Sequence, residues 1–158
     1  MPIEIQQIAQ DNIELFETLM DVFGEVFSDM ETYTGNRPGE EYVRALLARE
    51  SFIALVAVED GSVIGGLTAY ELQKFEQERS ELYIYDLAVR YQHRRKGVAT
   101  ALIEKVKNIA ATRGAYLIFV QADTGIEDEP AIALYTKLGT REEVLHFDIA
   151  VNADENTV

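Results

Sequence analysis

The chain has 158 residues, the length of one domain, and its 47% apolar and 27% charged residues are typical of a soluble globular protein, not a disordered or membrane-spanning one. Its formal net charge of −14 disfavours nucleic acid and anionic membranes as partners. With no cysteine and two histidines, His93 and His146, it excludes disulfides and a thiol nucleophile and disfavours a metal site. Since the N-terminus lacks the basic and apolar runs of a signal peptide, we expect a cytoplasmic protein.

The first half of the sequence predicts a strand, two helices and a hairpin. In chain order these are a strand at 3–8, a helix at 13–27, a loop at 28–39, a shorter helix at 42–47 and hairpin strands at 52–58 and 63–72. Either Asp11 or Asn12 can cap the first helix. Asp60 and Gly61 form the turn signal of the hairpin.

The second half predicts strands that alternate with helices. The order is a strand at 81–89, a helix at 100–113 ended by Gly114, a buried parallel strand at 116–121, a helix at 130–138 ended by Gly139, and an alternating strand at 143–151. Together the two halves predict an α+β fold on one mixed sheet. We expect one domain over residues 1–151 and a flexible acidic tail at 152–158.

A basic run lies between the strand at 81–89 and the helix that comes after it. It reads Arg94, Arg95, Lys96, Gly97, Val98 and Ala99. The N-terminus of a helix presents unpaired N–H groups and a partial positive charge, and a glycine lets the backbone approach a ligand closely. The run therefore predicts a pyrophosphate site, although a solvated turn has the same composition.

This run resembles the pyrophosphate-binding signature of the GNAT acetyltransferase superfamily, with Arg94, Gly97 and Ala99 in the signature positions. ELYIYDLAV and AIALYTKLG resemble two further segments of that superfamily. The resemblance implies a single GNAT-like domain with a mixed central sheet, a splayed strand pair and helices on both faces. It also implies acetyl-CoA as the acetyl donor, bound by Leu87, Ala88, Val89, Arg94, Arg95, Lys96, Gly97, Val98, Ala99 and Thr100.

Four longer blocks are similar to the bacterial aminoglycoside 3-N-acetyltransferases, which act on gentamicin and fortimicin. The blocks are KFEQERSELYIYDLAV, QAD, PAIALYTKLG and REEVLHFDI. This chain departs from those enzymes in a longer loop at 124–129, and from many superfamily members in Asp128 and Thr140, where they carry asparagine and phenylalanine. The resemblance implies acetylation of the 3-amino group of such drugs, and superfamily habit implies a homodimer.

The chemistry of acetyl transfer to an amine requires a base for the ammonium, a donor for the oxyanion and an acid for the thiolate. By resemblance, Tyr135 is the acid, although a core aromatic is its alternative role. Asp86, Asp123 and His146 are candidates for the base, and Asp148 lies near His146 in sequence. Each could instead cap a turn or pack in the structure.

Acidic side chains can bind a polycationic acceptor. We expect Asp29, Glu31, Asp123 and Asp148 to do so, with Glu40 and Glu41 near the first two. A solvated acidic face is the alternative. Two other functions remain open: an acetyltransferase of polyamines, other small amines or protein amines, and a non-catalytic acetyl-CoA-binding domain.

Overall fold

The computed structural model describes residues 2–152, so most of the predicted acidic tail, residues 153–158, lies outside the described residues. The chain divides into two compact units, of which the first ends at Gln121 and the second begins at Ala122. Within residues 2–152, no helix is long and apolar enough to cross a membrane.

Five strands of the first unit form one sheet, in the spatial order β1-β2-β3-β4-β5. They are β1 (Glu4–Gln7), β2 (Phe52–Glu59), β3 (Ser62–Gln73), β4 (Ser80–Val89) and β5 (Ala115–Val120). The pairs β1–β2, β2–β3 and β3–β4 are antiparallel. In contrast, β5 pairs parallel to β4 after a helical crossover. The predicted mixed sheet is confirmed.

Helices cover both faces of this sheet. The first unit contains α1 (Ile13–Val26), α2 (Met30–Thr34), α3 (Glu40–Ala48) and α4 (Val98–Arg113). A Cβ atom on Gly66 would collide with Leu19 of α1, whereas one on the adjacent Gly65 would lie 3.4 Å from Val98 of α4. Because successive strand residues point to opposite faces, α1 and α4 lie on opposite sides of β3. We call these sides the α1 face and the α4 face.

The core explains the apolar character of β2. Residues 52–57 are all buried, as expected of a strand with helices over both its faces. On the α1 face, β2 contributes Phe52, Ala54 and Val56 to a cluster with buried side chains of α1. This cluster fixes α1 against the sheet through burial of apolar surface, which is the dominant favourable term in folding.

The turn and cap signals act as predicted. Asn12 is the N-cap of α1, where its side chain accepts a hydrogen bond from the Leu15 N–H at 3.1 Å. Asp60 and Gly61 both have positive φ, as the tight turn between β2 and β3 requires. Gly114 ends α4 in the left-handed region, at φ 72°.

Two predictions for the first unit are wrong in part. The segment 28–39 is not entirely loop, because Asp29 caps the short helix α2 by accepting a hydrogen bond from the Thr32 N–H at 3.2 Å. The strand β5 is parallel as predicted but not fully buried, since Tyr116 and Leu117 are both exposed. As the last strand of the sheet, β5 has a neighbouring strand on one side only, so its faces are less covered than those of β2.

The second unit contains a 3₁₀ turn (Ile126–Asp128) and α5 (Glu129–Leu138), which confirms the predicted helix. The predicted strand at 143–151 is wrong: residues 140–150 lie within the described range and form neither helix nor strand. Val144, Leu145, Phe147 and Ile149 are all exposed. Alternation of apolar and polar residues stabilises a strand only when a neighbouring strand pairs its backbone and a core covers one face, and here the segment gains neither.

Candidate active site

We call the connection from β4 to α4 the cradle, because its backbone geometry suits an anion. After β4 the chain makes a 3₁₀ turn (Tyr91–His93) and passes through Arg95 and Gly97, both with positive φ. Gly97 is the N-cap of α4 at φ 80°, and nothing lies within 4 Å of the place where a Cβ atom would stand. The glycine is therefore needed for its backbone conformation, and the space beside it is open.

The beginning of α4 presents hydrogen-bond donors to this space. The first turn closes with a hydrogen bond from the Ala101 N–H to the Gly97 carbonyl at 3.0 Å, so the N–H groups of Val98, Ala99 and Thr100 precede the helical ladder. The buried side chain of Val98 anchors the turn in the core. These groups suit a phosphate.

The basic side chains of the cradle are exposed, as a site for a dissolved anion requires. Arg94, Arg95 and Lys96 all reach solvent. Arg94 donates from Nε to the carbonyl of Val89 at 3.1 Å, and its guanidinium lies 5.3 Å from the centre of the Tyr91 ring. The cradle thus joins the end of β4 to the first turn of α4.

The strands β4 and β5 part at their carboxyl ends. Their pairing ends at Ile84 and Val120, although β4 continues to Val89. Leu87, Ala88 and Val89 pair only with β3, through Leu67, Gly66 and Gly65. The expected splay is confirmed, and it leaves one edge of β4 open beside the cradle.

A β-bulge in β4 lies at the start of the splay. Asp86 opposes Thr68 and Ile84 opposes Ala69, so Tyr85 is an extra residue between them. A bulge shifts the alternation of side chains by one position. It therefore places Asp86 on the same face as Tyr83, although an odd and an even position of a regular strand point to opposite faces.

Asp86 is half-buried and hydrogen-bonded to α2. The hydroxyl of Tyr33 donates to Asp86 Oδ2 at 2.9 Å. Burial raises the pKa of the Asp86 carboxyl above its ordinary value, and the hydrogen bond from Tyr33 opposes that rise. Burial also raises the pKa of Tyr33, with the negative charge of Asp86 adding to the effect. The tyrosine therefore remains a neutral donor.

Aromatic rings surround this carboxylate on the α1 face. Tyr70 of β3 opposes Tyr83 of β4, which stacks on Phe119 of β5 with ring centres 4.6 Å apart. The ring of Tyr85 packs edge-on against both Tyr70 and Tyr83 and is 59% exposed. A half-buried carboxylate beside accessible aromatic faces suits an organic cation.

The acidic residues expected to bind the acceptor from α2 and α3 have local roles. Asp29 caps α2, and Glu31 lies in its first turn. Glu40 and Glu41 lie in the first turn of α3, where carboxylates stabilise the helix dipole. Glu31, Glu40 and Glu41 are exposed, whereas Asp29 is half-buried. Asp29 immediately precedes α2, the short helix that also carries Tyr33. Because Tyr33 contacts Asp86, α2 brings acidic groups near Asp86.

The other predicted residues belong to the second unit. The N–H of Asp123 donates to Asp128 Oδ2 at 2.8 Å, so Asp128 acts as a turn cap. His146 Nε2 lies 2.8 Å from Asp148 Oδ1, and both side chains are exposed. Tyr135 lies in the last two turns of α5 and is half-buried. The sequence predictions thus fall into two groups, with Asp86, Leu87–Val89 and the cradle together in the first unit.

No motif in the sequence predicted the tyrosines around Asp86. Tyr33, Tyr70, Tyr83 and Tyr85 line the region around Asp86. The available signal was the density of the residue type: the chain has 8 tyrosines and no tryptophan, and two tyrosines flank Ile84 immediately before Asp86. These four rings come together because β3 pairs with β4 and because α2 carries Tyr33. The sequence did not predict these contacts.

Comparison with known proteins assigns the family. The sequence model of the GNAT acetyltransferase family matches residues 14–140, which include β4, the cradle and α4. The chain belongs to the GNAT family of acetyltransferases. Members of this family use acetyl-CoA as the acetyl donor, and the open edge of β4 and the anion cradle fit a ligand of that kind.

Two solved structures of aminoglycoside acetyltransferases are similar over nearly the whole chain. An aminoglycoside acetyltransferase, HMB0005, from an uncultured soil metagenomic sample is 66% identical, with a TM-score of 0.95, over 96% of this chain and 100% of that one. Another, meta-AAC0020, also from a soil metagenomic sample and solved with sisomicin, is 30% identical with a TM-score of 0.85, over 95% and 97% of the two chains.

A curated mammalian relative matches over a shorter region. N-acetyltransferase 8 of Rattus norvegicus is 32% identical over 84 residues, which is 53% of this chain and 37% of the rat protein. This GNAT domain therefore corresponds to well under half of that relative's length. The match supports the family and carries no conclusion about the acceptor.

Proposed function

We propose that this GNAT protein acetylates an amino group of aminoglycoside antibiotics, with the 3-amino group of gentamicin-type drugs as the expected position, and so confers resistance to them. The observation that carries the proposal is the 66% identity to an aminoglycoside acetyltransferase over 96% of the chain. The similarity to a second such enzyme, solved with sisomicin, supports it independently.

The electrostatics of the chain support a polycationic acceptor. The formal net charge is −14, which attracts a drug that bears several ammonium groups and accelerates its arrival. Around Asp86, the faces of Tyr70, Tyr83 and Tyr85 offer sites where an ammonium group can be bound by cation–π attraction.

The chain has groups suited to hold acetyl-CoA at the end of β4. The first-turn N–H groups of α4 and the side chains of Arg94, Arg95 and Lys96 would bind its pyrophosphate, and the open edge of Leu87–Val89 would bind its amide-bearing arm. Bound there, acetyl-CoA supplies an acetyl group activated as a thioester. An N–H of the splayed part of β4 is the expected donor to the oxyanion.

Asp86 is the expected base within the first unit. Its Oδ2 already accepts the hydrogen bond from Tyr33, so Oδ1 is the atom that would take a proton from the acceptor ammonium and leave a neutral amine. Burial raises the pKa of Asp86 toward the range of an efficient base.

The second unit contributes the remaining candidates. Tyr135 is proposed as the acid that protonates the departing thiolate, on the basis of its place in the family pattern. His146 and Asp148, paired at 2.8 Å, form an alternative base. Asp123 and Asp148, together with Asp29 and Glu31 of α2, are proposed as ligands of the drug's ammonium groups.

A thiol-release assay tests the proposal. Purified protein and acetyl-CoA are combined with gentamicin, sisomicin, kanamycin, spermidine or a lysine peptide, and the position of the acetyl group in any product is assigned by NMR. We expect turnover of the three drugs and acetylation of the 3-amine. Gentamicin already acetylated at that amine is the matched control, and it should not react.

Expression in a drug-sensitive bacterium tests the resistance part separately. The inhibitory concentration of gentamicin should rise in cells that carry the intact protein and not in cells that carry Asp86→Asn. Turnover of spermidine or peptide without turnover of any drug would leave the protein an acetyltransferase and would refute the aminoglycoside proposal.

A further inference from the structure

The contact between Tyr33 and Asp86 joins two residues that are 53 positions apart. Tyr33 belongs to α2, and Asp86 belongs to β4 immediately after the bulge. The donor oxygen of Tyr33 and the acceptor Oδ2 of Asp86 are 2.9 Å apart, which is the distance of a good hydrogen bond. The role inferred below for Tyr33 rests on the proposed role of Asp86 as the base.

The ring of Tyr33 packs against Phe23 of α1 and against Phe27, the C-cap residue of that helix. Its centre lies 5.7 Å from the ring centres of both Phe23 and Phe27. Phe23 is fully buried and stacks on Phe27. Packing against these two rings supports the position of Tyr33 in addition to its hydrogen bond to Asp86.

The helix that carries Tyr33 is itself tightly joined to α1. A Cβ atom on Gly24 of α1 would lie 2.7 Å from the sulfur of Met30 and 3.5 Å from Cβ of Tyr33. The glycine is thus what permits the close approach of the two helices. Asp29 caps α2 at the same end.

The electrostatic surroundings of Asp86 come from three elements. Tyr33 of α2, Tyr70 of β3 and Tyr83 of β4 each interact electrostatically with Asp86. Asp29 and Tyr85 act on Tyr33, and Tyr42 of α3 acts on Tyr70. Burial raises the pKa of Asp86, and the hydrogen bond from Tyr33 is the contact that lowers it. Removing this donor therefore makes the carboxylate harder to ionise.

We propose that Tyr33 is a positioning residue of the acetyl-transfer site: its hydroxyl holds Oδ2 of Asp86, which orients Oδ1 toward the acceptor ammonium. The proton then moves from the ammonium nitrogen to Oδ1, and the nitrogen keeps the electron pair of the broken N–H bond, which makes it a neutral amine able to attack a thioester. Tyr33 exchanges no proton in this step, because the pKa of its hydroxyl is raised by burial and by the charge of Asp86.

The pH dependence of Tyr33→Phe tests this role. The acidic limb of kcat/KM should move to higher pH, with a loss of about tenfold or more at the acidic end and recovery to within about twofold of the unmodified enzyme at the alkaline end. A purely structural role would lower kcat/KM by the same factor at every pH, and that outcome would overturn the proposal.

Tyr116→Phe is the matched control. Tyr116 of β5 also donates its hydroxyl to a carboxylate, Glu81 of β4, at 3.2 Å, and lies at the other end of the strand pair from the splay. Tyr116→Phe makes the same chemical change in the same sheet. It should therefore leave the acidic limb of kcat/KM unmoved. An equal shift in both variants would contradict a specific role for Tyr33.

A direct titration separates this inference from the proposed function. The carboxyl carbon of Asp86, labelled with carbon-13 and assigned with Asp86→Asn, is followed by NMR in the protein without substrates. A higher pKa in Tyr33→Phe than in the unmodified protein is expected even if no aminoglycoside is acetylated. Equal pKa values would overturn the role of Tyr33, whatever the acceptor is.

Discussion

As the proposed base, Asp86 meets two opposing demands, since a base must be ionised to act and burial favours its neutral form. The hydrogen bond from Tyr33 partly offsets the cost of burial. The raised pKa means that the folded protein binds the proton of Asp86 more tightly than the unfolded chain does. Stability from this group is therefore present below the ordinary carboxyl pKa and is lost as the pH rises through the folded-state pKa.

Asp86→Asn is expected to separate activity from stability. The amide cannot take the proton, so kcat should fall by about 100-fold or more. Its oxygen can still accept from Tyr33, and it carries no charge to desolvate, so the melting temperature should rise at neutral pH and equal that of the unmodified protein in acid. Calorimetry at both pH values measures this, and a lower melting temperature at neutral pH would contradict it.

Gly97 is required for the backbone of the cradle. Gly97→Ala should cost about 1–2 kcal/mol, because a Cβ atom is unfavourable in the left-handed region, and it should raise the KM for acetyl-CoA. Gly39→Ala is a close control, since Gly39 is also a helix N-cap with open space beside it but has φ −68°. Its stability and its KM should change little.

At the scale of elements, the sequence predicted those whose signals are local. The N-cap at Asn12, the turn at Asp60 and Gly61, and the cradle before α4 all depend on neighbouring residues. The cradle could be predicted residue by residue, because a helix N-terminus is built from consecutive positions. These local features account for most of the helices and for β1 to β4.

The features that the sequence did not predict depend on distant contacts. Alternation at 143–151 predicted a strand, but within residues 2–152 the segment has no partner strand, and its side chains from 143 to 149 are exposed. Gly35, Pro38 and Gly39 predict a loop at 28–39, whereas the structure shows the short helix α2 there, capped by Asp29. The contact of Tyr33 with Asp86 requires both α2 and the bulge, so no spacing in the sequence could reveal it.

The packing of α1 on β3 depends on a residue without a side chain. Gly66→Ala should destabilise the protein by about 1–3 kcal/mol, because the new methyl group would meet Leu19 of α1 and lie 2.7 Å from the carbonyl oxygen of Leu55. Denaturant unfolding measures the change. The double variant with Leu19→Ala should lose less than the sum of the two single variants, since the smaller side chain makes room, and additive losses would contradict this packing.

At the scale of the whole molecule, the net charge of −14 should act on the rate of encounter. For a drug with several ammonium groups, kcat/KM should fall about tenfold between about 0.01 M and about 0.5 M salt, as the screening length shortens. With an acceptor that bears one ammonium group the fall should be much smaller, and kcat should change little in either case. Equal salt dependence for both acceptors would exclude long-range attraction as a contributor.

The bulge at Tyr85 decides which face of the sheet Asp86 occupies. In a strand with regular alternation of side chains, Asp86 would lie on the α4 face with Leu82 and Ile84. A carboxylate there would have to be buried in an apolar core. One inserted residue exchanges the two sides from that point onward. Whether this β-strand presents the carboxylate of Asp86 to Tyr33 or buries it as an unpaired charge thus depends on the number of its residues as much as on their identity.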